Sequence, residues 1–403
     1  MRIALVSPYS WTYGGGVNGH VEELARELGT RHDVRILAPW DPPDRLTRLT
    51  HRAVPEHRAM PENLVSLGRS FSVSGNGSVT NLSWSAGGMV KLGRALAAEP
   101  FDVVHVHEPI APWIGPHACS WPGAPVIGTF HAYSTNRFTN NLGNLAGVRR
   151  KLNQLHARIA VSEAAAWTGR RFFGGSYRVI PNGVDLAAPS QGPKPPSNEL
   201  RVLFVGRPEE RKGLPVLLRA FEALVEHVPA RLAVIGADAD ELARYLPDPD
   251  VAGRIDALGR VSEADLWRRL HGADVLCAPS LTGESFGMIL TEAFAAGTPV
   301  VASRIPGYSE VVTDGVDGVL VPPADAQALA EELQRLHHEP DRRELMGAEA
   351  RRSAQRFAWS RVAGEVEEVY EEALAAPEPE RPTARLAQRT GPVSDALNRQ
   401  AAA

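Results

Sequence analysis

Two glutamates eight positions apart, Glu284 and Glu292, flank the stretch Ser285-Phe286-Gly287-Met288-Ile289-Leu290-Thr291. Earlier in the chain, Gly206-Arg207-Pro208-Glu209-Glu210-Arg211-Lys212-Gly213 supplies cations across a turn. Arg207 and Lys212 suit a clamp on a diphosphate whose charge grows as it departs. Taken alone, a solvated charge cluster explains the turn equally well. Eight residues rotate a helix by about 800°, roughly two turns and 80°. Glu284 then falls in the loop before a helix and Glu292 on its early turns. Glu292 runs into Ala293-Phe294-Ala295-Ala296-Gly297, where a carboxylate needs a polar partner, and a ribose hydroxyl pair suits it. Spacing alone favours two ordinary acids; joined to the cations, it favours a site.

Gly14-Gly15-Gly16-Val17-Asn18-Gly19 has the spacing G-x-G-x-x-G. The seven residues Ser7 to Tyr13 separate it from the first strand, too many for the tight dinucleotide turn. The second strand also ends in Ala38-Pro39-Trp40, without the acid that would hold a ribose. What remains is a glycine-rich entry to a helix, where backbone N–H groups approach an anion. Leu258-Gly259-Arg260-Val261-Ser262-Glu263 follows a strand and reads two ways: a contact to a nucleotide base through Glu263, or a capping box of Ser262 with Asp265. His105-Val106-His107-Glu108 puts two imidazoles on one strand face. With no third ligand evident, polar strand-end residues are preferred over a metal site. Asn76-Gly77-Ser78 is a glycosylation sequon in form only.

These residues need elements to hold them. Short β-branched runs alternate with helical patterns, the signature of parallel α/β units. The first half reads as strands at Arg2–Ser7, Asp33–Leu37, Val103–His107, Val126–Thr129, Arg158–Val161 and Tyr177–Ile180, with a helix over Val17–Gly29. The second half reads as strands at Arg201–Val205, Arg231–Ile235, Arg254–Leu258, Val275–Ala278, Val300–Ala302 and Val319–Val321. The Pro-rich, aperiodic stretch between them marks a linker at residues 188–198. Residues 1–187 and 199–360 form the two expected domains, 361–376 a terminal helix and 377–403 a disordered tail.

Length agrees, since 403 residues exceed one comfortable core. Composition is globular, with 43% hydrophobic and 22% charged residues. No run reaches the roughly 20 apolar residues of a membrane span. The N-terminus reads as a strand, not a signal peptide. Cys119 and Cys277, far apart, make neither a disulfide framework nor a metal knuckle. A cytosolic enzyme or binding protein follows, and nucleic acid is not an expected partner. The net charge of −4 hides a +7 segment at 129–178 and a −7 segment at 362–380, so an anionic partner is sought at the former.

Gly206-Arg207, Arg211-Lys212-Gly213 and the Glu284 to Glu292 block together resemble the retaining nucleotide-sugar glycosyltransferases of family 4. The likeness continues in order through Ser7-Pro8-Tyr9-Ser10, Gly15-Gly16-Val17, His107-Glu108-Pro109, Thr129-Phe130-His131, Ile180-Pro181-Asn182-Gly183-Val184-Asp185 and Cys277-Ala278-Pro279. It is strongest to the phosphatidyl-myo-inositol mannosyltransferases of actinobacterial type. The resemblance implies an α/β protein of GT-B fold, two Rossmann-like doubly wound domains facing a cleft. It places His131, Arg207, Lys212 and Glu284 at the reaction centre, with His131 near the anomeric carbon and Glu284 on the sugar. Gly15, Gly16, Ser285, Phe286 and Gly287 would face the donor phosphates, Glu292 the ribose, and Val261 with Glu263 the base.

For the acceptor it implies Tyr9, Asn18, Asn76 and Ser78. The expected activity is transfer of a hexose, mannose from GDP-mannose, with retention, onto phosphatidyl-myo-inositol, at the inner membrane face, with no divalent metal required. Alternatives are a soluble acceptor (an inositol phosphate, metabolite or glycan), a UDP-sugar donor, or a non-catalytic nucleotide-sugar-binding protein. Two departures weaken the lipid reading. Ser85 to Ala98 carries only Lys91 and Arg94 where a basic helix is expected, and Asn81 stands where an arginine should face the inositol phosphate. A second basic helix, with Val148, Leu152, Leu155 and Ile159 as its apolar stripe beside Arg149, Arg150, Lys151 and Arg158, is the other candidate for a membrane surface.

Overall fold

A computed structural model describes residues 1–376 except 52–59, 76–77, 84–85, 138–139, 142–146, 187–193, 195–196, 244 and 246–248. The expected linker falls largely, and the tail wholly, outside the described residues, as does Asn76.

The N-terminal sheet contains β1 (Arg2–Val6), β2 (Asp33–Ala38), β3 (Leu64–Ser66), β6 (Val103–His107), β7 (Val126–Phe130), β8 (Ala157–Ala160) and β9 (Arg178–Val179). Between β3 and β6 the chain makes an antiparallel hairpin of β4 (Phe71–Gly75) and β5 (Ser78–Leu82). The C-terminal sheet contains β10 (Leu200–Val205), β11 (Ala230–Ile235), β12 (Ile255–Gly259), β13 (Val275–Ala278), β14 (Val300–Ser303) and β15 (Gly318–Val321). Both sheets are parallel, in the orders β3-β2-β1-β6-β7-β8-β9 and β12-β11-β10-β13-β14-β15. In each, strand order reverses beside the domain's first strand, between β1 and β6 and between β10 and β13. A doubly wound sheet opens a crevice at the carboxyl ends of the strands at that point. The chain there is Ser7–Gly15 and His107–Glu108 in one domain, Gly206–Gly213 and Pro279–Ser280 in the other.

Burial explains these strands. All five residues of β6 and of β7 are buried, the continuous pattern of strands covered on both faces. The first helix spans Gly16–Leu28 and buries His20, Val21, Leu24, Ala25 and Leu28 on one face. That face meets the terminal helix, Trp359–Ala375, whose Trp359, Val362, Ala363, Val366, Val369, Tyr370 and Ala373 form a buried stripe at helical spacing. The stripe enters the N-terminal core beside Ile3, Leu5, Val103 and Ile127, so the C-terminal segment completes the first domain. Exposed ion pairs line the seam, Glu367 with Arg31 at 3.0 Å and Arg178 with Glu372 at 2.9 Å. Such pairs contribute at most about 1 kcal/mol, far less than the apolar stripe. A carboxylate also joins the domains: Glu310 accepts from the Glu163 and Ala164 N–H groups at 2.6 and 2.8 Å, capping the helix Glu163–Phe173.

One sequence expectation changes. The basic stretch is not one helix: its helix covers only Val148–Leu152, and Arg158 and Ile159 lie in β8. Arg158 donates to the Leu152 carbonyl and the Asn153 amide oxygen, both at 3.0 Å, and ties down the turn between them. The helix Ala86–Ala98 forms despite its glycines, because Leu92 and Leu96 pack into the core. The three-residue β3 is too short to show a period, and the β4–β5 hairpin, although Phe71-Ser72-Val73-Ser74 alternates, is not among the strands read from the sequence. Among the described residues no helix is long and apolar enough to cross a membrane.

Candidate functional site

The two sheet crevices face each other and enclose one cleft in two chambers. The larger, of 780 Å³, runs from Gly15, Gly16 and Trp359 to Val261, Glu263 and Glu292. The smaller, of 300 Å³, is lined by His131, Asn182, Lys212, Glu284 and Ser285 among others. Gly16, Val205, Met288 and Ile289 border both chambers, so a ligand can run through them.

The glycine-rich turn forms the floor on one side. Gly15 precedes the first helix in extended conformation, with nothing within 4 Å of where a Cβ would sit. A Cβ on Gly16 would meet only Met288 Sδ, at 3.5 Å. Neither glycine is demanded by the fold; both leave room beside a helix N-terminus, where a phosphate is favoured. We therefore expect Gly16→Ala to weaken nucleoside diphosphate binding while leaving the melting temperature within about 1 °C, roughly the effect of a 1 kcal/mol change in a chain of this length. Parallel titration calorimetry and thermal melting check this.

Across the cleft, Glu284 Oε1 is 2.6 Å from Arg211 and 2.8 Å from Lys212. Arg207, expected in the clamp, instead pairs with Glu209 at 3.0 Å, is half exposed and lines neither chamber. Arg211, which also lines neither chamber, reaches Glu284 because the 3-10 turn Glu210–Lys212 sets Arg211 and Lys212 side by side toward it. Ser285, Phe286 and Gly287 follow Glu284 along the wall. Phe286 itself is core, packed edge to face on Phe357 at 5.6 Å, so only its backbone is offered to a ligand.

Glu292 sits within the helix Met288–Ala296, as the spacing indicated, and Glu263 opens the helix Glu263–Gly272 on the same chamber. Burial, with a smaller contribution from Glu263, pushes the Glu292 carboxyl up to about 7. The ionised form accepts hydroxyl hydrogen bonds at both oxygens, whereas protonation turns one of the two into a donor and weakens that pairing. Donor affinity should therefore rise from about pH 6 to about pH 8, as Glu292 ionises, and Glu292→Gln should flatten the curve. Calorimetric titration across that range checks the slope. The capping reading of the Ser262 turn holds, with Ser262 Oγ accepting from Asp265 N–H at 3.1 Å, and Val261 and Glu263 line the larger chamber.

At the N-terminal wall the ends of β6 and β7 meet the first helix. His107 Nδ1 lies 3.1 Å from His131 Nε2, and the His20 ring stands edge-on to His131 at 4.9 Å. Burial lowers His20 to about 4 and holds His107 and His131 well below the usual imidazole range, so all three are neutral. His105, the other imidazole on that strand face, is turned instead to Tyr370 OH at 2.7 Å and Thr129 Oγ1 at 2.6 Å. Ligand nitrogens of His20, His107 and His131 lie within 4.8 Å of one another, a cluster in which only His107 comes from the strand motif. Glu108 anchors His131 from behind, its carboxylate accepting the His131 N–H at 3.1 Å. Its φ of 52°, uncommon for a non-glycine residue, marks strain at the crevice.

Of the acceptor residues, Asn18 is spent on the loop before it. Its amide donates to the Ser10 and Tyr13 carbonyls at 2.7 and 3.2 Å and accepts from Ser7 at 3.1 Å, so it holds the glycine turn in place. Tyr9 bridges to Leu82, its phenol pushed up by burial and by Glu108. Ser78 opens β5. Asn81 is buried and accepts from Ser72 Oγ at 2.7 Å. Sequence reasoning missed Asn182 and Trp359 as cleft residues, and the contacts that Arg211 makes with Glu284 and His20 with His131 behind the lining. Only His20 left a local signal, four residues after Gly16 and so on the same helix face.

Residues 14–188 match the family described as Glycosyltransferase Family 4, and residues 189–353 match Glycosyl transferases group 1. The chain is 37% identical over 379 residues to a phosphatidyl-myo-inositol mannosyltransferase of Mycolicibacterium smegmatis, covering 92% of this chain and 94% of the relative. It is 29% identical to a D-inositol 3-phosphate glycosyltransferase of Nocardiopsis dassonvillei, covering 88% and 89%. In structure it is similar to Anabaena HepE in complex with UDP-glucose, with a TM-score of 0.70 at 18% identity over 92% of this chain and 99% of the other. With its two facing sheets and the cleft between them, the chain belongs to the family 4 glycosyltransferases of GT-B fold.

Proposed function

We propose that this glycosyltransferase moves mannose from GDP-mannose, with retention, onto phosphatidyl-myo-inositol. The observation that carries the reading is the paired cleft, where Glu284 and Lys212, with Arg211 paired to the same carboxylate, face His131 across a chamber opening into a nucleoside-sized one. The acceptor and sugar rest on the likeness to the mannosyltransferase relative along nearly the whole chain.

In the proposed reaction the diphosphate enters between the glycine turn and the Arg211–Lys212 pair. Phosphate oxygens then compete with Glu284 for these cations, and the released carboxylate is free to accept sugar hydroxyls. The bond from the anomeric carbon to the β-phosphate oxygen breaks as charge builds on the diphosphate, where Lys212 and Arg211 stabilise it. The acceptor oxygen bonds the anomeric carbon from the same face, and its proton passes to the departing phosphate oxygen. No protein base is needed, consistent with neutral, low-pKa imidazoles on this wall.

Glu263, which could accept from two guanine N–H groups, favours GDP over UDP. A soluble inositol phosphate is the second reading, favoured by Asn81 in place of an arginine and by the inositol 3-phosphate relative. The test pairs GDP- and UDP-sugars with phosphatidylinositol vesicles and with inositol phosphates. We expect radiolabelled mannose in the lipid fraction from GDP-mannose alone. Transfer only to the soluble acceptor supports the second reading, and donor binding without turnover would mean a non-catalytic protein. A lipid site at the inner membrane face also requires salt-sensitive sedimentation with anionic vesicles.

A further inference from the structure

The imidazole ring of His131 borders the smaller chamber, and its two nitrogens have different surroundings. Nε2 faces His107 Nδ1 at 3.1 Å, whereas Nδ1 has no hydrogen bond among the described residues. A contact between two neutral imidazole nitrogens holds one proton, so one ring donates and the other accepts. On His107 the remaining nitrogen, Nε2, is buried with no partner. The rings around it are His105 at 4.3 Å, His20 at 5.4 Å and His131 at 5.4 Å, and none offers it a hydrogen bond.

If His107 carried its proton on Nε2, an N–H donor would be buried and unpaired, and His131 would show a bare lone pair to the cleft. If His107 carries it on Nδ1, only an acceptor is left unpaired. Orphaned buried N–H groups are the rarer of the two defects in folded proteins. The position of one proton on a histidine is set by the bond its other nitrogen makes.

We infer that His107 is a positioning residue that fixes the tautomer of His131, so that His131 meets the substrate as an N–H donor through Nδ1. This rests on the sugar-transfer reading of the cleft and assigns the chemistry of one wall: His131 recognises an oxygen lone pair, on a sugar hydroxyl or a phosphate, and does not take a proton from the acceptor. Glu108 fixes the backbone of the same residue, so His131 is held at both ends.

The test is long-range 1H–15N correlation on 15N-histidine-labelled full-length protein, without substrate, with His131→Gln used to assign its signals. His131 should show the Nδ1–H pattern. His107→Leu should release the tautomer and lower kcat about 10- to 100-fold, the usual cost of losing an orienting partner, with the donor KM within about threefold. His107→Asn, whose amide can donate from near the Nδ1 position, should restore the Nδ1–H pattern and most of kcat. An Nε2–H pattern in the unmodified protein overturns the inference, as does equal behaviour of the Leu and Asn variants. Tetrahedral Co(II) absorption that requires His20, His107 and His131 together also overturns it, because coordination would replace the His107–His131 bond. If the Leu variant does not fold, the unmodified protein and the Asn variant still decide. The resonance measurement needs no turnover, so failure to find a sugar donor would sink the functional reading while leaving the tautomer assignment to its own result.

Discussion

Replacing Lys212 by alanine should lower kcat by about 100- to 1,000-fold, the cost of removing one preorganised group that meets charge developing on a leaving oxygen. The fold should hardly notice. Arg211 still satisfies Glu284 at 2.6 Å once the ammonium is gone, so no buried charge is stranded. Glu284→Ala behaves differently, because it leaves Arg211 and Lys212 facing each other without their shared carboxylate. That variant should lose activity to a similar degree and also lose melting temperature in the absence of nucleotide. GDP should recover part of the loss by supplying the missing anion. The pair therefore separates an electrostatic role in the reaction from a role in holding the site. Steady-state rates and thermal melting on both variants check it, and a Lys212→Ala enzyme within about fivefold of the parent would remove Lys212 from the reaction.

Gly213→Ala should be the most damaging single-methyl change near the cleft. Gly213 has φ of +72°, the left-handed region, and joins the Lys212 turn to the helix Leu214–Val225. A Cβ there would collide with the carbonyl oxygen of Pro279, a backbone atom that no rotamer change can move aside. Left-handed strain alone costs about 1–3 kcal/mol, and relieving the collision requires the turn to shift. Because Lys212 is the adjacent residue, that shift carries the ammonium away from Glu284. We expect a lower denaturant midpoint together with a fall in kcat approaching that of Lys212→Ala. Gly15→Ala is the control, since that position has extended backbone and open space. Equal stability for the two variants would refute the steric argument.

Both predictions depend on residues visible in the sequence, yet only one depends on spacing that could be read there. Glu284 and Glu292 were placed correctly, in a loop and on the following helix, because helical rotation is a local property. The strand ends were legible for the same reason: a β-branched run such as Val103–His107 reports burial on both faces within five residues. The choice between Arg207 and Arg211 was not legible. Both lie in the same cationic turn, and a 3-10 turn ending in a left-handed glycine decides which one reaches Glu284. The basic stretch misled in the opposite way. Its apolar residues keep helical spacing from Val148 to Ile159, but Arg158 bonds the chain across a turn and Ile159 joins a strand.

What the sequence by itself determined is therefore local and periodic: two alternating α/β halves, the glycine turn, the cationic turn and the two glutamates. What only the tertiary structure decided is which of these meet. The terminal helix returns to fill the first domain's core because its apolar stripe, from Trp359 to Ala373, is buried there against Ile3, Leu5, Val103 and Ile127. His20, His107 and His131, separated by up to 111 positions, converge because the sheet reverses its strand order beside β1 and brings the ends of β6 and β7 under the first helix. Contacts of that kind depend on strand order and on long-range burial of apolar faces, neither of which leaves a trace in residue spacing.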